Sequence, residues 1–372
     1  MRLLALASAA VTAACVAALD PRGAQGPLSP SAAIAPKVLI VSMFAPEDVW
    51  TERLHLTHNY TLPLLHPHFP SVHCDAAGAV CQVTTAMGEI NAAVTVTALL
   101  LSPLFDLSRS YFLFAGIAGV DPHFGTTGSA ALAHFAVQVA LAYEIDPREA
   151  PEHWETGYFL QGTSEPNTID GVLAYGTEVY ELNTNLRDRV HAFAANVSLV
   201  DSEAAADYRA KFDYAPANEP PALFYGDVAT TDVFFSGHRL GAAFANITAL
   251  WTKGEGTYTM SAQEDNASFE ALLRAHKIGL VDFTRAILLR TASNFDRPPP
   301  GLDALTAMRL IDSGGFAPSV DNLWVVGAPI VQGILDNWAE FEAGVPVQDG
   351  WLHADDGVGA TSWGEYADSH VA

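Results

Sequence analysis

Residues 110–120 read SYFLFAGIAGV, an apolar run without polar alternation that carries Gly116 and Gly119 toward its end. A strand with one wet face alternates apolar and polar side chains, so a continuous apolar run belongs to a strand covered on both faces. Working outward, PKVLIVSMF (36–44) and AVCQVTTAMG (79–88) have the same character, and EINAAVTVTALLLSP (89–103) reads as a helix stopped by Pro103. Residues 129–146 suggest further strand, 177–196 a helix, and 222–240 a strand, turn and helix start. FEALLRAHKIG (269–279) is an amphipathic helix ended by Gly279. VDFTRAILLRTASNFDRPPPG (281–301) is a strand carrying Ser293 and Asn294 at its C-terminal end, and 321–341 is a closing helix. Buried strands interleaved with helices predict one large α/β domain.

The first twenty residues, MRLLALASAAVTAACVAALD, have a basic start, an apolar run and small residues suited to signal peptidase. They predict a secretory signal over residues 1–20, with a retained signal anchor as the competing reading. The domain then spans 35–345, and 346–372 is a polar, Gly-rich tail. No later stretch reaches the roughly 18 apolar residues of a membrane helix, so no transmembrane segment is expected after the signal. Half the residues are hydrophobic, enough for a large core. The net charge of −24, from 42 acids and 18 bases, argues against nucleic acid or an anionic bilayer as partner.

Cys74 and Cys81 in CDAAGAVC suit a disulfide across a hairpin turn in an oxidising compartment, with two reduced buried thiols as the alternative. Sequons stand at Asn59, Asn196, Asn246 and Asn266. Secretion or attachment at the cell surface or wall is the localisation expected. His55, His58, His66, His68 and His73 lie in a Pro-rich loop at irregular spacing, and no metal site is expected there.

Ligands of open α/β sheets bind at the C-terminal strand ends. Here those ends carry Glu47, Gly116 to Gly119, Asp227 to Asp232, Glu264 to Asn266, and Ser293 with Asn294. An acid- and amide-rich rim suits a neutral polyol or a sugar bearing a base. Glu264 and Asp265 also read as an acidic helix start, and Asp227 and Asp232 as turn and N-cap residues.

In order along the chain, PKVLIVSMFAPEDVW, TTAMGEINAA, FAGIAGV, SAQEDNA and RTASNFD resemble the nucleoside phosphorylase/nucleosidase superfamily, and most closely the fungal purine nucleoside permease family. The resemblance covers about residues 35–345. It implies a nucleoside phosphorylase-like three-layer sandwich, with a central mixed, partly barrel-like sheet flanked by helices. It implies that Glu47 activates the attacking water or phosphate and that Asn294, where relatives have an acid, faces the base beside Ser293. Glu264, Asp265 and Asn266 would hold the ribose, with Asn266 where a second Glu is usual, and Gly116 and Gly119 would let backbone approach the ligand. The positions of a phosphate-binding Arg and Ser read Phe114 and Ile117, which leaves Arg239 with His238 as replacement cations. The function implied is purine nucleoside binding with cleavage of the N-ribosyl bond, by hydrolysis or with phosphate as co-substrate and with no other cofactor. The alternative is an uptake component that binds nucleosides without catalysis. Homo-oligomers are common in that superfamily. A substrate pocket at SAQEDNA would leave Asn266 without a glycan.

Overall fold

A computed structural model of the chain describes residues 33–351. The expected signal peptide and residues 352–372 of the expected tail lie outside the described residues. Chain order is β1 (Val38–Ser42), β2 (His58–Thr61), β3 (Ser71–Cys74), β4 (Val80–Thr84), α1 (Glu89–Leu100), β5 (Tyr111–Val120), β6 (Ala130–Leu132) and β7 (Phe135–Gln138). There follow β8 (Ala142–Glu144), β9 (Tyr158–Leu160), β10 (Val179–Glu181), α2 (Thr184–Ala194), α3 (Glu203–Arg209), β11 (Leu223–Tyr225), β12 (Asp227–Thr230) and α4 (His238–Trp251). The chain continues through β13 (Tyr258–Ala262), α5 (Asp265–Lys277), β14 (Ala286–Phe295), α6 (Phe316–Asp336) and α7 (Trp338–Phe341).

One mixed 12-stranded sheet forms the centre, in the order β10-β7-β12-β13-β5-β1-β4-β3-β2, with β14, β6 and β11 branching from β5. Neighbouring residues of a strand point to opposite faces, and each face is filled separately. Val38, Ile40, Leu113, Ala115 and Leu289 pack with Leu323, Val326 and Ile330 of α6 and with Leu186 of α2. Leu39, Val41, Phe112, Phe114 and Leu288 pack on the other side with Val96 of α1 and Phe269 and Leu272 of α5. Helices on both faces of a mixed sheet give the expected layered α/β architecture. Apolar residues at every position of β5 are its consequence.

The strand β5 organises the site. Along one edge β14 pairs with it in parallel from Phe112 to Val120. On the opposite edge β1 covers Tyr111 to Phe114, and β13 arrives antiparallel at Gly119 and Val120. Residues 115–118 therefore have no strand on that edge.

Two regions differ from the sequence reading. Residues 177–196 begin as edge strand β10 and turn helical only after Asn183, whose Oδ1 accepts from Leu186 N at 3.1 Å as an N-cap. The end of the expected domain and the start of the expected polar tail, residues 345–351, pack on the body. Val345 and Trp351 are buried, and the indole of Trp351 donates to the carbonyl of Glu181 at 3.0 Å. The cysteines form the expected disulfide, at directly opposed positions of β3 and β4.

Candidate functional site

The uncovered edge of β5 exposes backbone groups that a partner must satisfy. Ile117 N donates to Oε1 of Glu47 at 2.7 Å, and Ile117 O accepts from Nη1 of Arg290 at 3.0 Å. Two side chains thus finish the ladder where strands β1 and β13 part. Glu47 reaches this point because a short 3-10 turn, Ala45–Glu47, follows β1. Its other oxygen accepts from Met43 N at 2.7 Å and Phe44 N at 3.3 Å.

Glu47 is 1% exposed. Burial pushes its carboxyl up from 4.5 to about 8, with Glu264 adding to the rise while Arg290 and the backbone donors of Met43 and Ile117 oppose it. Gly116 makes this packing possible, since a Cβ there would stand 2.4 Å from Nη1 of Arg290 and 2.8 Å from Oε1 of Glu47. The sequence reading gave Gly116 to the ligand; its missing side chain instead makes room for the protein's own charged groups.

Arg290 sits inside the apolar strand β14 and is 1% exposed. Its Nε donates to Oδ2 of Asp265 at 3.1 Å, and its Nη2 to Oδ1 of Asp265 and, at 3.2 Å, to Oε2 of Glu264. Burial works against the charge, but the two acids outweigh it and hold the guanidinium above its usual range. Asp265 is wholly buried in this pair and does not line the cavity, which corrects its expected role on the ribose. A carboxylate bonded fork-to-fork with a buried guanidinium has little capacity left for a ligand.

Asn266 is also turned away. Its Oδ1 accepts from the hydroxyl of Thr230, its side chain bonds Glu89, and it is absent from the cavity lining. One helical residue advances about 100° around the axis, so three successive residues at the start of α5 cannot all face one ligand. Glu264, the N-cap position, is the one that does. Its Oε1 accepts from Gly88 N at 3.2 Å, and burial raises its pKa against the pull of Arg290.

Ser293 and Asn294 close the other end. A register shift between Ala292 and Asn294 in the β14–β5 pairing sets Asn294 opposite Gly119. The Ser293 hydroxyl lies 2.8 Å from Oδ1 of Asn294 and 3.1 Å from the carbonyl of Ala118, while Nδ2 of Asn294 donates to Phe295 O at 3.2 Å. A Cβ on Gly119 would stand 2.5 Å from Oγ of Ser261, so this glycine permits the approach of β13.

Between these groups lies a cavity of about 140 Å³. Glu47, Glu264 and Arg290 form one end, and Ser293, Asn294 and Gly119 the other. Met43, Phe44, Met87, Val233, Phe234 and Phe235 supply apolar walls, with Thr231 and Ser261 as further hydroxyls. Such a slot offers acceptors for vicinal hydroxyls, aromatic faces for a flat ring, and a protonatable carboxyl shielded from water.

The fold thus brings together Glu47, Glu264, Gly119, Ser293 and Asn294, and leaves out Gly116, Asp265 and Asn266. Arg239 and His238, read as replacement cations, are exposed and line a separate cleft beside Trp154 and Asn246. Asp232 accepts from Glu89 N at 2.8 Å and so caps α1 from a distant loop. Asp227 joins three segments by accepting from His134 N, Phe135 N and Thr257 N. The sequence reading missed Arg290 and the wall of residues 233–235. Arg290 had a signal: a charge within AILLRTASNF must be paired once the strand is buried, and SAQED offers the acids.

The profile of the family described as purine nucleoside permease (NUP) matches residues 35–346. The chain is 42% identical over 321 residues to the purine nucleoside permease of Candida albicans strain SC5314, covering 85% of this chain and 79% of that one. It is 37% identical over 316 residues to a Schizosaccharomyces pombe protein named as a probable purine nucleoside permease, covering 82% and 90%. Among solved structures, it is similar to the 5′-methylthioadenosine/S-adenosylhomocysteine nucleosidase of Colwellia psychrerythraea bound to adenine. There the TM-score is 0.49 at 14% identity, over 80% of this chain and 95% of that one. For the futalosine hydrolase of Helicobacter pylori the TM-score is 0.47 at 14% identity, over 81% and 97%.

Proposed function

The chain belongs to the purine nucleoside permease family, and from that premise we propose that the strand-end cavity binds a purine nucleoside and hydrolyses its N-ribosyl bond. The observation that carries this reading is the Glu47 carboxyl. It is buried, oriented by backbone donors on both oxygens, pushed up to about 8, and in one cavity with Glu264 and Asn294. A group titrating near the working pH is suited to moving a proton.

In this reading the ribose hydroxyls meet Glu264 and the base lies between the apolar walls with its edge at Asn294. Water attacks C1′ and yields its proton to Glu47, while the C1′–N9 bond breaks and its electron pair leaves with the base. Glu264 places negative charge beside the oxocarbenium-like transition state. Asn294 donates a hydrogen bond to the departing base, whose proton is then made up from Glu47 through solvent. Arg290 opposes the effect of burial on Glu264 and so favours its ionised form.

Water is favoured over phosphate by the charge of the pocket. Arg290 is the one Lys or Arg among the described lining residues, and it is committed to Asp265 and Glu264. A phosphate dianion there would face net negative charge. A second reading, capture of the nucleoside for uptake without cleavage, is supported by the family's name and by an amide at Asn294, which cannot act as a general acid. No helix of the described residues is long and apolar enough to cross a membrane, so in that reading capture would be the chain's part of uptake. Action outside the cell or at its surface is supported by the disulfide and by sequons on exposed Asn59, Asn196 and Asn246.

Incubation of the purified protein with adenosine or inosine, with and without phosphate, tests the proposal. Free ribose in both tubes is the expected result. Ribose 1-phosphate formed only with phosphate would replace hydrolysis by phosphorolysis, and binding without release of base would leave the uptake reading.

A further inference from the structure

The cavity does not end at Asn294. A separate cavity of about 440 Å³ lies between α1 and α5 and touches none of the residues that line the first, but a second cavity, of about 400 Å³, continues from the Asn294 end. It shares Phe234, Ser293 and Asn294 with the first cavity, and it shares none of Glu47, Glu264 or Arg290. Its own walls include Tyr208 of α3, Met308, Leu310 and Ile311 of the segment that joins β14 to α6, and Phe316 at the start of α6. Met308, Leu310, Ile311 and Phe316 are 40%, 70%, 38% and 48% exposed, which is much apolar surface left in water beside a site. Phe316 also meets Phe44 of the first cavity, with ring centroids 6.4 Å apart, so the two apolar linings are continuous.

Resting on the nucleoside reading above, we propose that the preferred substrates are purine nucleosides whose exocyclic C6 amine carries an apolar alkenyl or aryl group, and that this group occupies the second cavity. The argument is one of ring geometry. Purine N7 and the C6 amine lie on the same edge of the base, and an Asn amide can donate to N7 while accepting from the one N–H that a substituted amine keeps. With N7 and that N–H on Asn294, the substituent leaves the base from the far side of the C6 amine, beyond the Asn294 end of the first cavity, where the second cavity lies. A substituent on C2 or on the ribose leaves from other edges and gains nothing there. Burying the exposed Met308, Leu310 and Phe316 against an apolar group supplies the preference.

The test is calorimetric titration of the full-length protein with adenosine, N6-benzyladenosine and 2-phenylaminoadenosine. N6-benzyladenosine is expected to bind about tenfold more tightly than adenosine, and 2-phenylaminoadenosine no more tightly. In the Leu310→Glu and Met308→Glu proteins the ratio of the two affinities is expected to fall toward unity. Adenosine bound with N6-benzyladenosine equal or weaker overturns the extension and leaves the nucleoside reading standing. If none of the three binds, the nucleoside reading falls, and the extension with it. A tenfold preference that both variants retain also overturns it, because the substituent then lies elsewhere.

Discussion

At the scale of single residues, the site is built from groups that the backbone itself requires. Glu47 completes the β5 edge, so the carboxyl that the proposed reaction uses is also a structural one. Its folded-state pKa of about 8 lies above the ordinary 4.5, so the folded chain keeps a proton that the unfolded chain has lost between those values. That contribution to stability is fully present below about 4.5 and is lost as pH rises to about 8. A base must be ionised, so kcat/KM for nucleoside cleavage should rise with pH through about 8, and a pH–rate profile checks it. A rate that falls over that range would make Glu47 the acid. Glu47→Gln should remove this limb and lower turnover by about 10²- to 10⁴-fold, measured by release of base. Arg290→Met leaves two buried carboxylates without their cation and should cost about 3–5 kcal/mol in urea unfolding. Among the sequons, Asn266 is 6% exposed and bonded to Thr230, whereas Asn59, Asn196 and Asn246 stand exposed. Glycopeptide mapping should find glycans only among those three.

At the scale of elements, the site is a gap in a ladder. Strands β1 and β13 share one edge of β5 without meeting, and Glu47 and Arg290 both reach β5 at Ile117, inside the interval at residues 115–118. Closing that interval should stop activity more than it harms folding. Gly116→Ala puts a methyl against Arg290 and Glu47, and its first readout is loss of cleavage at a temperature where circular dichroism is unchanged. The helix α1 begins at Gly88 without a side-chain cap of its own, and Asp232 supplies one from the loop after β12. Asp232→Ala should lower stability by about 0.5–2 kcal/mol, measured by denaturant unfolding. Element positions were largely legible beforehand, because β1, β5 and the first half of β14 are apolar runs without alternation and α1 and α5 carry their stop signals. The short edge strand β10 was not, because three residues ahead of a strong helix have no periodicity of their own. Arg290 was legible only in part: its need for an acid could be read, but not which acids would reach it.

At the scale of the whole molecule, a chain of net charge −24 repels a phosphate dianion, and Arg290, the one Lys or Arg among the described lining residues of the cavity, is already paired with Asp265 and Glu264. Turnover should be unchanged between phosphate-free buffer and added phosphate at matched ionic strength, followed as ribose release. What the sequence by itself determined is the fold class and where a candidate site is to be sought: unalternating apolar strands require helices on both faces, and such sheets bind ligands at their strand ends. Glu47, Glu264, Ser293 and Asn294 follow from that placement and from the family resemblance. Only the tertiary structure decided which way each side chain turns. The sequence places Glu264, Asp265 and Asn266 together, but the start of α5 aims one at the cavity, one at Arg290 and one at Thr230. The physical reason is that charge pairing and burial are settled by contacts between segments far apart in the chain, here β1, β5, α5 and β14. No local pattern records which of several acids will meet the buried Arg290.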